Sequence, residues 1–83
     1  MRIKMCFNGT LINAKSEKSR DGKNIYYKVS LDQSGEAGSL SCTEDVYSLF
    51  ENGGLERFSE CSFDAVFDDQ YKNLRVFDVR SDA

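Results

Sequence analysis

The feature that most constrains the fold is the strict alternation of residues 24–32. Every second residue from Ile25 to Leu31 is apolar or aromatic, and Tyr26, Lys28 and Ser30 stand between them. A period of two is typical of a β-strand with one buried face. If the apolar face points inward, Tyr26 and Lys28 point outward on the same strand.

Four further segments have strand-like composition and are separated by turn signals. They are residues 2–17, 39–42, 61–67 and 74–79. Gly9 interrupts the first segment, and a glycine within a strand often marks a bulge or bend, so we expect one long strand bent at Gly9. Asp21-Gly22 predicts a hairpin turn, and residues 34–38 predict a turn or short loop before the third strand.

One helix is predicted between the third and fourth strands. Val46, Leu49 and Phe50 are spaced i, i+3 and i+4, which puts them on one helical face. Thr43 is a candidate N-cap, and Asn52-Gly53-Gly54 is a typical helix end. We expect the apolar face of this helix to close the bottom of a barrel.

The element order β-β-β-α-β-β predicts a mainly β domain over residues 1–83, a five-stranded OB-fold barrel with one short helix between strands three and four. In OB-folds the second and third strands and the loops joining strands 1–2 and 4–5 bind oligonucleotides or oligosaccharides. An SH3-like barrel or an α+β roll remains open.

The absence of histidine argues against catalysis. Histidine is the commonest general base and metal ligand, and the chain has none. The three cysteines, Cys6, Cys42 and Cys61, form no CxxC pair, so a zinc ribbon or a redox centre is not expected. Each cysteine lies within or beside an apolar stretch, so we expect three free, buried thiols. We expect no metal, no cofactor and no enzymatic activity.

The length of 83 residues fits one domain with a modest core. Because a domain of this size is only marginally stable alone, we expect a homodimer or higher oligomer. No apolar run reaches the roughly 20 residues of a membrane span, and the first residues lack the pattern of a signal peptide. We expect a cytoplasmic protein without a membrane partner.

The first hairpin combines cations with exposed aromatic rings. Single-strand binders need cations for phosphates and aromatic faces for bases. The candidate residues are Lys15, Lys18, Arg20, Lys23, Tyr26 and Lys28. The competing interpretation is a solvated charged loop with an incidental tyrosine.

The last hairpin supplies a second candidate group, Tyr71, Lys72 and Arg75. Phe77 fits either the core or the site. The acids Asp68, Asp69 and Asp78 count against this hairpin as an electrostatic groove, because they repel phosphates.

Charge is distributed unevenly along a chain whose net charge is −3. Residues 1–30 contain seven basic and two acidic residues, whereas residues 31–83 contain four basic and twelve acidic ones. The first part can present a basic face to a polyanion. The acidic second part supports an alternative function, a protein-interaction or assembly module on the same barrel.

The chain resembles small OB-fold single-stranded DNA-binding proteins of bacteria, phages and mobile elements. The resembling stretches are residues 9–15, the basic turn to Gly22-Lys23, residues 25–31 and residues 63–79. The resemblance implies non-sequence-specific coating of single-stranded DNA, or RNA, during replication or recombination, by a dimer or higher oligomer. It assigns binding to Tyr26, Lys28, Tyr71 and Arg75. The chain departs from that family in lacking tryptophan and a long acidic tail, and in its acidic net charge.

Overall fold

The computed structural model describes residues 1–82. Five strands and one helix follow in the order β1 (Arg2–Lys18), β2 (Ile25–Gln33), β3 (Glu36–Cys42), α1 (Glu44–Glu51), β4 (Glu60–Asp68) and β5 (Asn73–Ser81). The protein is therefore mainly β, with the helix after β3, as the sequence predicts.

The five strands form one closed ring in the order β1-β2-β3-β5-β4, and β4 pairs again with β1. Strand β1 takes part in both ends of the ring, because residues 2–10 pair with β4 and residues 10–18 pair with β2. All pairs are antiparallel except β3 with β5. That parallel pair comprises only Ser41 with Arg75 and Cys42 with Val76.

Strand β3 is longer than the sequence predicts. It begins at Glu36, and the expected loop of residues 34–38 shrinks to a tight turn between the paired residues Gln33 and Glu36. Ser34 and Gly35 have φ values of 55° and 86°. Two consecutive positive φ values are required by the two-residue type I′ hairpin turn, whose twist matches that of its strands.

The register of β1 has no irregularity at Gly9, where the sequence predicts a bend. Gly9 pairs regularly with Cys61, and the irregularity of β1 lies between Leu11 and Asn13, at Ile12. Gly9 has a different role, because a Cβ atom there would lie 2.9 Å from Cδ1 of Leu31. The glycine permits β1 to approach β2 closely.

The core fills the inside of the ring. Its largest fully buried side chain is Phe63, whose ring stacks on that of Phe7 with centroids 5.5 Å apart. Around it lie Leu11, Val29, Leu31, Cys42, Val46, Leu55, Cys61, Ala65, Val76 and Val79.

Helix α1 contributes less of its apolar face to this core than expected. Val46 is buried and Phe50 packs against the core, but Leu49 is exposed. Thr43 is the N-cap, and its Oγ accepts a hydrogen bond of 3.4 Å from the Val46 amide. Residues 1–82 contain no helix with the length and apolar character needed to cross a membrane.

Phe77 lies outside the core, which resolves the ambiguity of its sequence position. The β4–β5 register shifts between Asp64 and Ala65, whose partners are Asp78 and Val76, so Phe77 is the extra residue of a bulge. A bulge changes which side chains face inward. Val76 and Val79 are therefore both buried, whereas Phe77 is 40% exposed.

Candidate nucleic-acid interface

A row of outward-facing side chains crosses four strands of the ring. Residues directly opposite in neighbouring strands share one face of the sheet. Lys15 of β1 is opposite Lys28 of β2, Lys28 is opposite Ser41 of β3, and Ser41 is beside Arg75 of β5. The neighbouring residues Ala14, Val29, Cys42 and Val76 are buried, so the row lies on the outside. Two cations predicted from the first hairpin and one from the last thus share one line, named here the cationic row.

Glu17 lowers the positive charge of the cationic row. Its carboxylate lies 3.4 Å from Nζ of Lys15 and 3.8 Å from Nζ of Lys28. All three side chains are close to half exposed, so these ion pairs contribute little to stability. Their main effect is electrostatic, because one carboxylate partly neutralises two ammonium groups.

Tyr26 stands beside the cationic row, two residues from Lys28 and directly opposite Glu17. Its side chain is 54% exposed. It lines a depression of about 290 Å³ together with Ser41, Arg75 and Glu44. An exposed ring and a guanidinium in one depression offer a stacking surface for a base and hydrogen-bond donors for a phosphate.

The loop between β1 and β2 carries Arg20 and Lys23, both exposed. The loop is ordered by Asp21, whose carboxylate accepts hydrogen bonds from the Ser19 hydroxyl and the Lys23 amide. These bonds, that from Ser19 foremost, lower the pKa of Asp21 below its usual value. Arg20 and Lys23 form no ion pair within residues 1–82.

Lys18 does not join the cationic row. It pairs with Ile25, at a position that alternates with the Glu17–Tyr26 pair, so it points to the opposite face of the hairpin. Ile25 shares that face, but it lies at the end of the ladder and is exposed rather than buried.

Tyr71 and Lys72 lie in the loop between β4 and β5, and both are exposed. Tyr71 is 73% exposed, and Lys72 adopts a positive φ of 52°. Because β5 runs parallel to β3, the residues before Arg75 extend towards the start of β3. The β1–β2 loop and the β4–β5 loop therefore lie on opposite sides of the cationic row along the strand direction, and Tyr71 is separated from Tyr26.

The acids of the last hairpin each have a basic neighbour, which weakens the objection drawn from the sequence. Asp69 accepts a hydrogen bond of 2.6 Å from the Met1 amino group, and Asp68 lies 3.8 Å from Arg2. Arg80 lies 3.6 Å from Asp78. The repulsion that these carboxylates exert on a phosphate is reduced accordingly.

The polar residues between the cations were not among the residues predicted from the sequence. Ser41 lies between Lys28 and Arg75. Ser30 and Ser39 are the next pair along the same face, and their hydroxyl groups form a hydrogen bond of 2.8 Å. The predicted third strand was too short to reveal this alternation. The proximity of Glu17 to Lys15 was visible as an i, i+2 spacing on one strand face.

The prediction of free, buried thiols is confirmed for Cys42 and Cys61, but burial is wrong for Cys6. All three are free, with Cys42 and Cys61 buried and Cys6 exposed. Burial raises the pKa of the Cys42 thiol to about 11. Within residues 1–82, no group of three histidine, cysteine, aspartate or glutamate residues is placed to hold a metal ion.

The arrangement as a whole provides cations, hydroxyl groups and one exposed ring on a continuous face. Comparison of the sequence with models of known protein families and with curated proteins finds no match to either.

Proposed function

We propose that this protein binds single-stranded nucleic acid, without catalysis and without sequence specificity, through the outer face of β1, β2, β3 and β5. The observation that carries the proposal is the cationic row, in which Lys15, Lys28 and Arg75 come into line from three strands. Cations aligned along a surface suit the regularly spaced phosphates of one nucleic-acid strand.

The strand order supports the same conclusion. The ring β1-β2-β3-β5-β4, with its helix after β3, is compatible with an OB-fold. In that fold the second and third strands and the loops joining strands 1–2 and 4–5 bind oligonucleotides. Here those loops carry Arg20, Lys23, Tyr71 and Lys72, on opposite sides of the cationic row along the strand direction.

The chemistry of the face favours binding that does not depend on sequence. Stacking on Tyr26 or Tyr71 is open to every base, because every base has an aromatic face. Phosphate contacts from Lys15, Lys28 and Arg75 carry no sequence information. Their contribution weakens as salt increases, since it arises from counterion release.

Fluorescence anisotropy of labelled oligo-dT across a salt series tests the proposal, with oligo-U and a matched duplex as competitors. We expect binding to the single strands that exceeds binding to duplex and falls steeply with salt. The ratio between oligo-dT and oligo-U decides whether DNA or RNA is preferred.

A matched pair of double variants locates the site. Tyr26→Ala with Lys28→Ala removes a ring and a cation from the proposed face. Phe58→Ala with Arg57→Ala removes an exposed ring and a cation between α1 and β4. We expect the first variant to lose at least tenfold in affinity, because stacking alone is worth about 1–3 kcal/mol per base, and the second to bind like wild type.

Two outcomes would contradict the proposal. Equal affinity of the two double variants would remove Tyr26 and Lys28 from the site. The absence of any binding at low salt, where electrostatic attraction is strongest, would exclude nucleic-acid binding and favour the alternative of a protein-interaction module.

A further inference from the structure

The backbone edge of β3 that faces β5 is open over most of its length. All of β3 pairs with β2 on one side, but only Ser41 and Cys42 pair with β5 on the other. Residues 36–40, named here the open edge, have no strand partner on that second side within residues 1–82. An unpaired edge presents free amide and carbonyl groups that favour pairing with another strand.

The open edge lacks the devices that usually prevent such pairing. Proteins protect edges with proline, lysine, bulges or a covering segment. The chain contains no proline, the open edge carries a single charge at Glu36, and the β2–β3 register has no irregularity. Ala37, Gly38 and Ser39 are exposed.

No segment of residues 1–82 fills the space beside the open edge. A cleft of about 490 Å³ lies between it and the ends of β1 and β5, lined by Met5, Phe7, Leu40 and Leu74. A Cβ atom added at Gly38 would meet nothing within 4 Å. Met5 is 39% exposed, so apolar surface remains for a second strand to cover.

We propose that the open edges of two copies of this chain pair antiparallel about a two-fold axis at Gly38, forming a dimer with a continuous sheet. Residues 36–40, which lack a strand partner only on the side facing β5, are centred on Gly38, so pairing about this residue uses the whole open edge and no residue already paired with β5. Glu36 then lies opposite Leu40, and Ala37 lies opposite Ser39. This register sets no like charges against each other and meets the self-complementarity that a two-fold interface requires.

The small side chains permit the two copies to approach as closely as this symmetric register requires. Ala37 and Ser39 point outward, because the alternating position Gly38 pairs with the buried residue Leu31. Neither side chain is large enough to hold two strands apart. The pairing depends on backbone groups and does not require nucleic acid.

Two charge-pair variants test the register by sedimentation velocity over a concentration series without nucleic acid. In the first variant, Ala37→Lys with Ser39→Lys, a lysine of one copy lies opposite a lysine of the other at both 37–39 pairs. In the second, Ala37→Lys with Ser39→Glu, a lysine lies opposite a glutamate at both pairs. Both lose the Ser39–Ser30 hydrogen bond, so they are matched in that respect. We expect wild type to dimerise, and the lysine–glutamate variant to dimerise at least about fourfold more tightly than the lysine–lysine variant.

Cysteine cross-linking provides a second measurement, carried out in a Cys6→Ser background with copper phenanthroline as oxidant. Gly38→Cys would place two thiols directly opposite each other, within the range of a disulfide, and should give a covalent dimer. Ala37→Cys is the control, because its opposite residue is Ser39 and the two thiols are displaced along the strands. A monomeric wild type at all concentrations, equal dimerisation of the two charge variants, or equal cross-linking of the two cysteine variants would each overturn the proposal.

Discussion

Glu17→Gln should strengthen nucleic-acid binding, although it removes two ion pairs from the protein. The Glu17 carboxylate lies 3.4 Å from Nζ of Lys15 and 3.8 Å from Nζ of Lys28. A phosphate that contacts either ammonium group from the far side would lie roughly 7 Å from the carboxylate, and repulsion at that distance in water is about 0.6 kcal/mol. Removing the carboxylate should therefore increase affinity about threefold for one such phosphate and about sevenfold for two.

The cost to folding should be small by comparison. Exposed ion pairs contribute about 0.2–1 kcal/mol each, and glutamine keeps the size of the side chain. Thermal unfolding of the variant checks that it remains folded. Any change in the affinity for nucleic acid then reflects the loss of the Glu17 charge.

Anisotropy titrations with oligo-dT at low and high salt measure this effect. Glu51→Gln is the charge-matched control, since Glu51 is exposed at the end of α1 and forms no ion pair within residues 1–82. The gain of Glu17→Gln should vanish near 1 M salt, where the screening length is about 3 Å. An affinity equal to that of Glu51→Gln, or below that of wild type, would refute the electrostatic role given to the cationic row.

Three further predictions concern the fold. Gly9→Ala should lower the free energy of unfolding in urea by about 1–3 kcal/mol, because the new methyl group would lie 2.9 Å from the Leu31 side chain; unchanged stability would show that the strands can separate without cost. Thr43→Ala should cost about 0.5–1 kcal/mol in the same assay, the lower part of the range for an N-cap, since its hydrogen bond is long at 3.4 Å; a loss above 2 kcal/mol would disagree with this geometry. At pH 8 a thiol reagent should modify Cys6 alone, because Cys6 is exposed whereas Cys42 and Cys61 are buried; three modified thiols in the folded protein, counted by mass spectrometry, would contradict the buried positions.

The sequence predicted the elements of the fold because each has a local cause. Alternation determines β2, and Thr43 with Asn52 marks the ends of α1. The parallel contact between Ser41 and Arg75 has no such local signal. It depends on how the ring closes, and residues far apart in the sequence decide that.

The candidate site was predictable as a composition but not as an arrangement. Lys15 and Lys28 were named from the first hairpin and Arg75 from the last, and only the register shows that they lie in one row. Lys18 is a lysine of the same hairpin, but its side chain points to the other face. The bulge at Phe77 changed the alternation of β5, and a single sequence does not distinguish such a bulge from a regular strand.

The two-residue contact between β3 and β5 also has a consequence for motion. One further backbone bond, from the Thr43 amide to the Val76 carbonyl at 3.0 Å, reinforces this seam, whereas β1 and β4 pair over nine residues. Local opening begins where the fewest bonds must break. We therefore expect the pairing between β3 and β5 to open on a timescale far shorter than that of global unfolding. The Thr43 amide should then exchange its hydrogen with solvent well before amides in the middle of β4.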